Sequence, residues 1–449
     1  MKSLTNYSFV SKYIKHVNAS FVLIFFTVLA LVFANVGALK GWYFDLWSLP
    51  VSFSVGSFNL FSHSGHALTL GDFINDFLIA IFFLAVGLEI KREIKVGELS
   101  TRDKALLPII GACGGMIVPV LLFSLICPSD PMMQRGMAIP MATDIAFSLG
   151  VLSVFSKRVP VGLKIFLAAL AVADDLGGII VIALFYSSDI DIMYLLLSAL
   201  CAAAMILANI LKCHRKRFYV LFGLMLWYLM LNSGIHATIA GVITAFCVPS
   251  TLTKGTGYYL ERIRKNVNKF PVINIDEQRN TIVLTNDQVH TLKSIESAAD
   301  KMISPLQDLE DHLHFTINYV VIPLFAFANA GIDLSGMSIG TLFSGAGLAV
   351  MLGLVLGKFI GVFSFSWVAV RLNIVKLPTN TTWKAFASVC VICGIGFTVS
   401  MFIADLSYSG LAEVGDALLD QAKLGVLVGS VISAVLGVIL LSRTLPEEN

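Results

Sequence analysis

The sequence predicts an all-α polytopic membrane protein of about twelve transmembrane helices. Two inverted-topology repeats, two broken helices crossing at mid-membrane and a small external β-hairpin complete the expected fold. Three observations carry this. Only 13% of the 449 residues are charged and 57% are hydrophobic, with mean hydropathy +0.84, whereas a soluble chain carries about 25% charged residues. Long runs such as 347–370 and 424–442 are apolar on every face, so a bilayer must be their solvent. The charges that remain are distributed with a sidedness that fits helices crossing in alternation.

Read against about 20 residues per span, the apolar windows are 17–37, 70–96, 105–126, 134–156, 161–186, 192–211, 216–231, 234–248, 313–330, 341–371, 384–407 and 416–443. The first follows Lys2, Lys12 and Lys15 with no small-residue cleavage site behind it, so it reads as a retained helix rather than a removed leader. The windows 216–231 and 234–248 are separated only by Asn232-Ser233-Gly234. Positive charge then tests the count. Lys91, Arg92, Lys95, Arg102 and Lys104, then Lys157 and Arg158, then Lys212, Arg215, Lys216 and Arg217 fall on one side. The segment 249–305, then Arg371, Lys376 and Lys384, and finally Arg443 continue the series, with Lys40 and Arg135 as the exceptions. Both termini are therefore expected in the cytoplasm.

Two segments stand apart from the spans. Residues 50–62 alternate as Val51-Ser52-Phe53-Ser54-Val55 and Phe58-Asn59-Leu60-Phe61 around Gly56-Ser57, a pair suited to a tight type II′ turn. A hairpin there offers an edge for pairing with a second copy of the chain. Residues 250–305 are polar and of mixed charge, with an amphipathic run at Ile295, Ala298, Met302 and Leu306. They read as a cytoplasmic linker ending in a short helix. The seven cysteines are scattered through apolar segments and read as packing residues, Cys390 and Cys393 included. The net charge of +2 gives no reason to expect nucleic acid, and no phosphate-cradling G-x-x-x-x-G-K-[ST] loop is present to take a nucleotide.

The informative residues are charges placed deep in the spans, where each costs about 2.5–3.5 kcal/mol on insertion scales. Asp144 lies about ten residues into its span, Asp174 and Asp175 about thirteen and Lys358 about seventeen, which at 1.5 Å per residue puts all four near the middle of a core about 30 Å thick. Locking the bundle with ion pairs accounts for Lys358 and one aspartate but not for all four, since three carboxylates face one ammonium. Two adjacent carboxylates in a low dielectric cannot both stay ionised without a cation, and carboxylate oxygens suit a small hard one. A proton and a cation then compete for one place, which is the chemistry of an exchanger. Asp76, after Asn75, is a further polar residue inside a span.

The span holding Asp144 is interrupted at Ala138-Ile139-Pro140-Met141-Ala142-Thr143 and the eleventh at Gly394-Ile395-Gly396-Phe397-Thr398. Paired interruptions in the two halves of a chain point to an inverted-repeat transporter site. Half-helix ends carry partial charges, positive at N-termini and negative at C-termini. Asp144 is expected to neutralise the facing N-termini and Lys358 the facing C-termini, leaving Asp174 and Asp175 for the ions.

The strings Phe83-Leu84-Ala85-Val86-Gly87-Leu88-Glu89-Ile90-Lys91-Arg92-Glu93, Ala142-Thr143-Asp144-Ile145-Ala146-Phe147 and Ala173-Asp174-Asp175-Leu176-Gly177 occur in that order. Ser233-Gly234-Ile235-His236-Ala237-Thr238, Pro323-Leu324-Phe325-Ala326-Phe327-Ala328-Asn329-Ala330-Gly331 and Gly357-Lys358 follow. Over roughly 15–445 the chain thereby resembles the NhaA family of bacterial sodium/proton antiporters, itself a standard case of inverted-topology repeats. The resemblance implies Asp175 as the main cation and proton carboxylate, Asp174 as a partner that pairs with Lys358, and Thr143 and Asp144 at the helix crossing. It also implies transport of Na⁺ or Li⁺ against H⁺ by alternating access, no cofactor and no enzymatic activity, activation at alkaline pH, homodimers joined through the hairpin, and residence in the bacterial inner membrane. The 250–305 segment is longer than in the best-known members.

Glu89, Arg92 and Glu93 share one helical face and serve either as a pH-responsive gate or as an interfacial salt-bridge cluster. Glu310 and His314 resemble the family's other cytoplasmic sensor positions, although Asp311 stands where the family has histidine. His236 titrates in the relevant range, or is structural. An intramembrane aspartyl protease also needs two membrane aspartates, but on different helices and with a Gly-x-Gly-Asp string that no span carries. Another cation-coupled transporter of similar fold remains the second alternative.

Overall fold

The computed structural model describes residues 19–445 except 53, 56–57, 60–61, 64–65, 128–129, 156–157, 187–189, 253, 271–283, 336–344 and 409–410. The expected turn at Gly56-Ser57 lies outside the described residues, as do the middle of the 250–305 linker and the first residues of the 341–371 window.

The described chain is nearly all helical. In order, α1 is Ala19–Asn35, α2 Gly37–Ser48, α3 Leu70–Val96, α4 Arg102–Ile126, α5 Pro131–Met141, α6 Ile145–Ser153, α7 Val161–Phe185, α8 Ile192–Ile210, α9 Lys216–Leu231 and α10 Thr238–Cys247. Next come α11 Thr256–Lys269, α12 Asn286–Asp300, α13 Pro305–Thr316, α14 Ile322–Asn329, α15 Gly345–Arg371, α16 Trp383–Ile392, α17 Phe397–Tyr408 and α18 Ala412–Thr444. Among the described residues, six helices are long and apolar enough to cross a membrane, or nine if each bent pair counts as one span. The sequence reading of about twelve adds α9 with 16 residues, α10 with 10, and α13–α14, whose first turns are charged.

The stretch after Asn35, which the apolar windows left as a connection, is the helix α2. It folds back from α1 by 109°, and Tyr43 on it is buried and donates to Phe327 O at 2.5 Å. The segment after α2 holds four two-residue strands in two antiparallel pairs. Ser54 and Val55 stand opposite Asn59 and Phe58, and Ser62 and His63 opposite Ala67 and His66, with Pro50 bridged to Thr69. Within 250–305, α11 and α12 are joined by hydrogen bonds from Arg262 and Asn266 to Ser294 Oγ.

Two breaks position the interior. α5 ends in a tight 3₁₀ stretch, Arg135–Met141, containing Pro140, and α6 starts after three non-helical residues at a 42° bend. α16 and α17 are separated at Gly394-Ile395-Gly396 by 44°. The missing proline N–H on one side and the paired glycines on the other make each break cheap. α4 and α15 cross closely: a methyl group on Gly361 would collide with Gly114 O, and one on Gly114 with Gly361 O. Small residues let two backbones meet in this way, and the contact holds Lys358, three residues before Gly361, against the breaks. A wide π turn at Gly353–Gly357 immediately precedes Lys358, and a second at Ile74–Leu78 carries Asn75 and Asp76.

Candidate functional site

Each half-helix end at the crossing meets a polar partner. Asp144 caps α6, its Oδ1 accepting from Phe147 N at 2.9 Å. Its other oxygen accepts from Thr398 N at 3.2 Å and Thr398 Oγ1 at 2.6 Å, at the start of α17. One carboxylate thus satisfies N–H groups at two facing N-termini, the ends where negative charge is stabilised. Its own N–H donates to Ile395 O at 2.7 Å, tying the two breaks together. At the C-terminal ends, the Lys358 ammonium donates to Met141 O and the Thr143 hydroxyl approaches Cys393 O at 3.0 Å.

Asp174 and Asp175 come from the middle of α7. Lys358 Nζ lies 2.6 Å from Asp174 Oδ2 with both side chains fully buried, and Thr143 Oγ1 lies 2.8 Å from the same oxygen. Asp174 Oδ1 and both oxygens of Asp175 are buried without a hydrogen-bond partner in the protein. A buried charge is costly unless paired, so three carboxylate oxygens at this point require a proton, a cation or water. Among the described residues no group of three or more His, Cys, Asp or Glu converges to hold a metal ion. A cation at the aspartate pair therefore has to complete its shell with hydroxyl, carbonyl or water oxygens.

A cavity of about 480 Å³ leads toward this crossing. Glu89, Arg92, Glu310 and His314 line one end of it, and Asp144 and Thr398 the other. Arg92 joins Glu310 Oε1 at 2.7 Å and Glu93 Oε1 at 3.1 Å, and Glu93 also accepts from Glu98 N at 2.8 Å. His314 faces Asn318 at 3.2 Å. Burial, with Glu89, Asp311 and Glu93 adding to it against the opposing pull of Arg92, pushes the Glu310 carboxyl up to about 7. Glu89, Arg92, Glu93, Glu310 and His314 thus form one cluster. His236 does not join it. It is half-buried in the turn between α9 and α10, beside Ser233, whose carbonyl accepts from Asp191 N ahead of α8.

The signature of the family described as Na⁺/H⁺ antiporter 1 matches residues 12–441. The chain belongs to this family. Its relatives include the Na⁺/H⁺ antiporter NhaA of Phocaeicola vulgatus, 48% identical over 99% of this chain and 97% of that protein. The Bacteroides fragilis antiporter of the same name is 50% identical over 96% and 97% of the two chains, and that of Glaesserella parasuis 43% identical over 98% and 97%. All are named as transporters rather than enzymes.

Three polar contacts of the family member described here escaped the sequence reading. Lys91, read as positive charge near the end of a span and as part of the family string, is buried and donates to Phe246 O at 2.6 Å and Val248 O at 2.5 Å, closing the C-terminal end of α10. Asp405 and Lys423, each inside an expected span, pair at 2.8 Å. Their presence in apolar windows was the available signal. Thr398 was seen as part of a break, not as a ligand of Asp144.

Proposed function

We propose that this protein exchanges Na⁺ for H⁺ across the bacterial inner membrane, with the cation or a proton carried at Asp174 and Asp175. The observation that carries the reading is the set of three buried carboxylate oxygens left without protein partners beside the Lys358–Asp174 pair. Deprotonated, Asp175 and the free oxygen of Asp174 are hard oxygen donors for Na⁺ or Li⁺; protonated, Asp175 is neutral and has no use for the ion. Binding of one expels the other.

Charge counting bears on stoichiometry. With Lys358 and Asp174 paired, Asp175 contributes one negative charge, and one Na⁺ or one H⁺ neutralises it. Exchange of two protons per ion needs a second group to change its protonation, and the Lys358–Asp174 pair is the one in contact with the site. If two protons are exchanged per ion, that pair takes the second one and transport is electrogenic. No resident cofactor is required.

The remaining fold features complete this reading. The short helices α9 and α10 and the α13–α14 segment bring the spans to twelve, arranged as two inverted repeats that rock about the crossing, with both termini in the cytoplasm. The paired strands between 50 and 69 lie outside the membrane and join two copies of the chain. The 250–305 linker is cytoplasmic, as is the Glu89, Arg92, Glu93, Glu310 and His314 cluster, which sets activation at alkaline pH; His236 tunes the response from the other face.

The test is addition of Na⁺, Li⁺ or K⁺ to everted vesicles holding a pH gradient. Na⁺ is expected to collapse the gradient with the unaltered protein and not with Asp175→Asn. A gradient that persists with the unaltered protein overturns the reading.

A further inference from the structure

Beyond Thr398, on the side away from Glu310, the large cavity closes. The space between α3, α14 and α17 shrinks to a void of about 10 Å³, lined only by apolar side chains and Thr398, too small and too apolar to conduct water. Phe402 seals it, its ring centroid 6.1 Å from Phe83 on α3 and 6.4 Å from Phe325 on α14. One turn further along α17 stands Asp405, about 10 Å from Thr398 along the helix axis.

Asp405 is the centre of a chain of four polar side chains in a membrane interior. Lys423 Nζ on α18 pairs with its Oδ1 at 2.8 Å, and Asn75 Nδ2 on α3 donates to its Oδ2 at 3.3 Å. Asn75 Oδ1 in turn accepts from Asn329 Nδ2 on α14 at 2.7 Å. The distances divide the chain in two. Asp405 and Lys423 hold each other by a charged contact, and Asn75 and Asn329 by a short amide bond. Between the halves runs a single, long hydrogen bond. Asn75 sits in the π turn Ile74–Leu78, a local widening that marks functional positions in helices.

We propose that Asn75, Asn329, Asp405 and Lys423 form a latch that keeps the outer path to the aspartate pair shut, and that the Asn75–Asp405 bond is where it parts. This rests on the exchange reading above, which requires the site to open to each side in turn. Opening moves α3 and α14 as one polar-bonded unit away from α17 and α18 as another. It breaks the weakest contact of the four-residue chain, leaves the Asp405–Lys423 pair intact, and slides Phe402 from between Phe83 and Phe325. Each half keeps a satisfied partner on either side of the movement, so the open state leaves no lone charge in the membrane.

The experiment places a reporter cysteine at Val399, between the seal and the crossing, and measures its modification by a membrane-impermeant thiol reagent from each face of oriented vesicles. The parent chain, whose seven cysteines are buried or half-buried, supplies the background. With the latch intact, modification is expected from the Glu310 face. Asn75→Ala, which removes the bridging bond, is expected to raise the rate from the opposite face about threefold to tenfold, the weight of one ordinary hydrogen bond, as suits its 3.3 Å length. Asn75→Ser and Asn329→Ala serve where Asn75→Ala fails to assemble, and both are expected to give a smaller rise in the same direction. Unchanged opposite-face modification in all assembled variants overturns the latch. Because labelling is read without transport, absence of Na⁺/H⁺ exchange in the unaltered protein would strike the exchange reading alone.

Discussion

Removing Lys358 tests the electrostatic logic of the site most directly. At 2.6 Å and an effective dielectric of 20, the Lys358–Asp174 attraction is about 6 kcal/mol. Both side chains are fully buried, so the desolvation of two ions, several kcal/mol each, offsets most of that gain. The pair is therefore close to neutral in net stability, yet losing one member strands the other. Lys358→Met should destabilise the fold by about 3–5 kcal/mol, and it also removes the donor to Met141 O at the end of α5. The double variant Lys358→Met/Asp174→Leu should recover most of the loss. Unfolding of the detergent-solubilised single and double variants by denaturant completes the cycle. A single variant within about 1 kcal/mol of the parent, or a double variant as unstable as the sum of the singles, would refute a buried, mutually dependent pair.

Asp144 gives a graded series. Asp144→Ala uncaps both α6 and α17 and should cost about 1–4 kcal/mol, two caps at about 0.5–2 kcal/mol each. Asp144→Asn, which keeps one acceptor, should fall between, as read by the same unfolding measurement, and full retention of exchange in Asp144→Asn would remove that carboxylate from the transport machinery. Lys91→Met strips the donor from the last carbonyls of α10 and should cost about 1–3 kcal/mol for the carbonyls left unsatisfied, measured by loss of thermal stability; an unchanged transition would show that α10 ends without it. Glu310 sets a pH dependence. Its carboxyl stands at about 7 against an ordinary 4.5, so between those values the folded chain holds a proton that the unfolded chain has released, and stability falls as pH rises through that window, levelling above about 7. Glu310→Gln should flatten the fall and match the parent near pH 5; a slope that survives the substitution would assign it to another group.

What the sequence by itself determined was whatever a residue does regardless of its neighbours. Apolar runs too long for water gave most ends of the long spans, though not α2, α11, α12 or the start of α13. Pro140 with Gly394 and Gly396 marked the two breaks because those residues weaken a helix locally, yet α4 runs on through Pro108 and Pro119. Carboxylates at mid-span were conspicuous for the same reason, since the desolvation of a charge is incurred whatever partner later offsets it. Partners are another matter. Asp405 and Lys423 lie 18 positions apart on two helices, and nothing in either window says that their side chains meet or that Asn75, 330 positions away from Asp405, reaches the other oxygen of the same carboxylate. The π turns at Ile74–Leu78 and Gly353–Gly357 carry no proline, and α2 is polar enough to read as a connection. Only the tertiary structure decided these, because a hydrogen bond across helices depends on rotation and crossing angle, which packing such as the Gly114–Gly361 contact sets and local propensity does not.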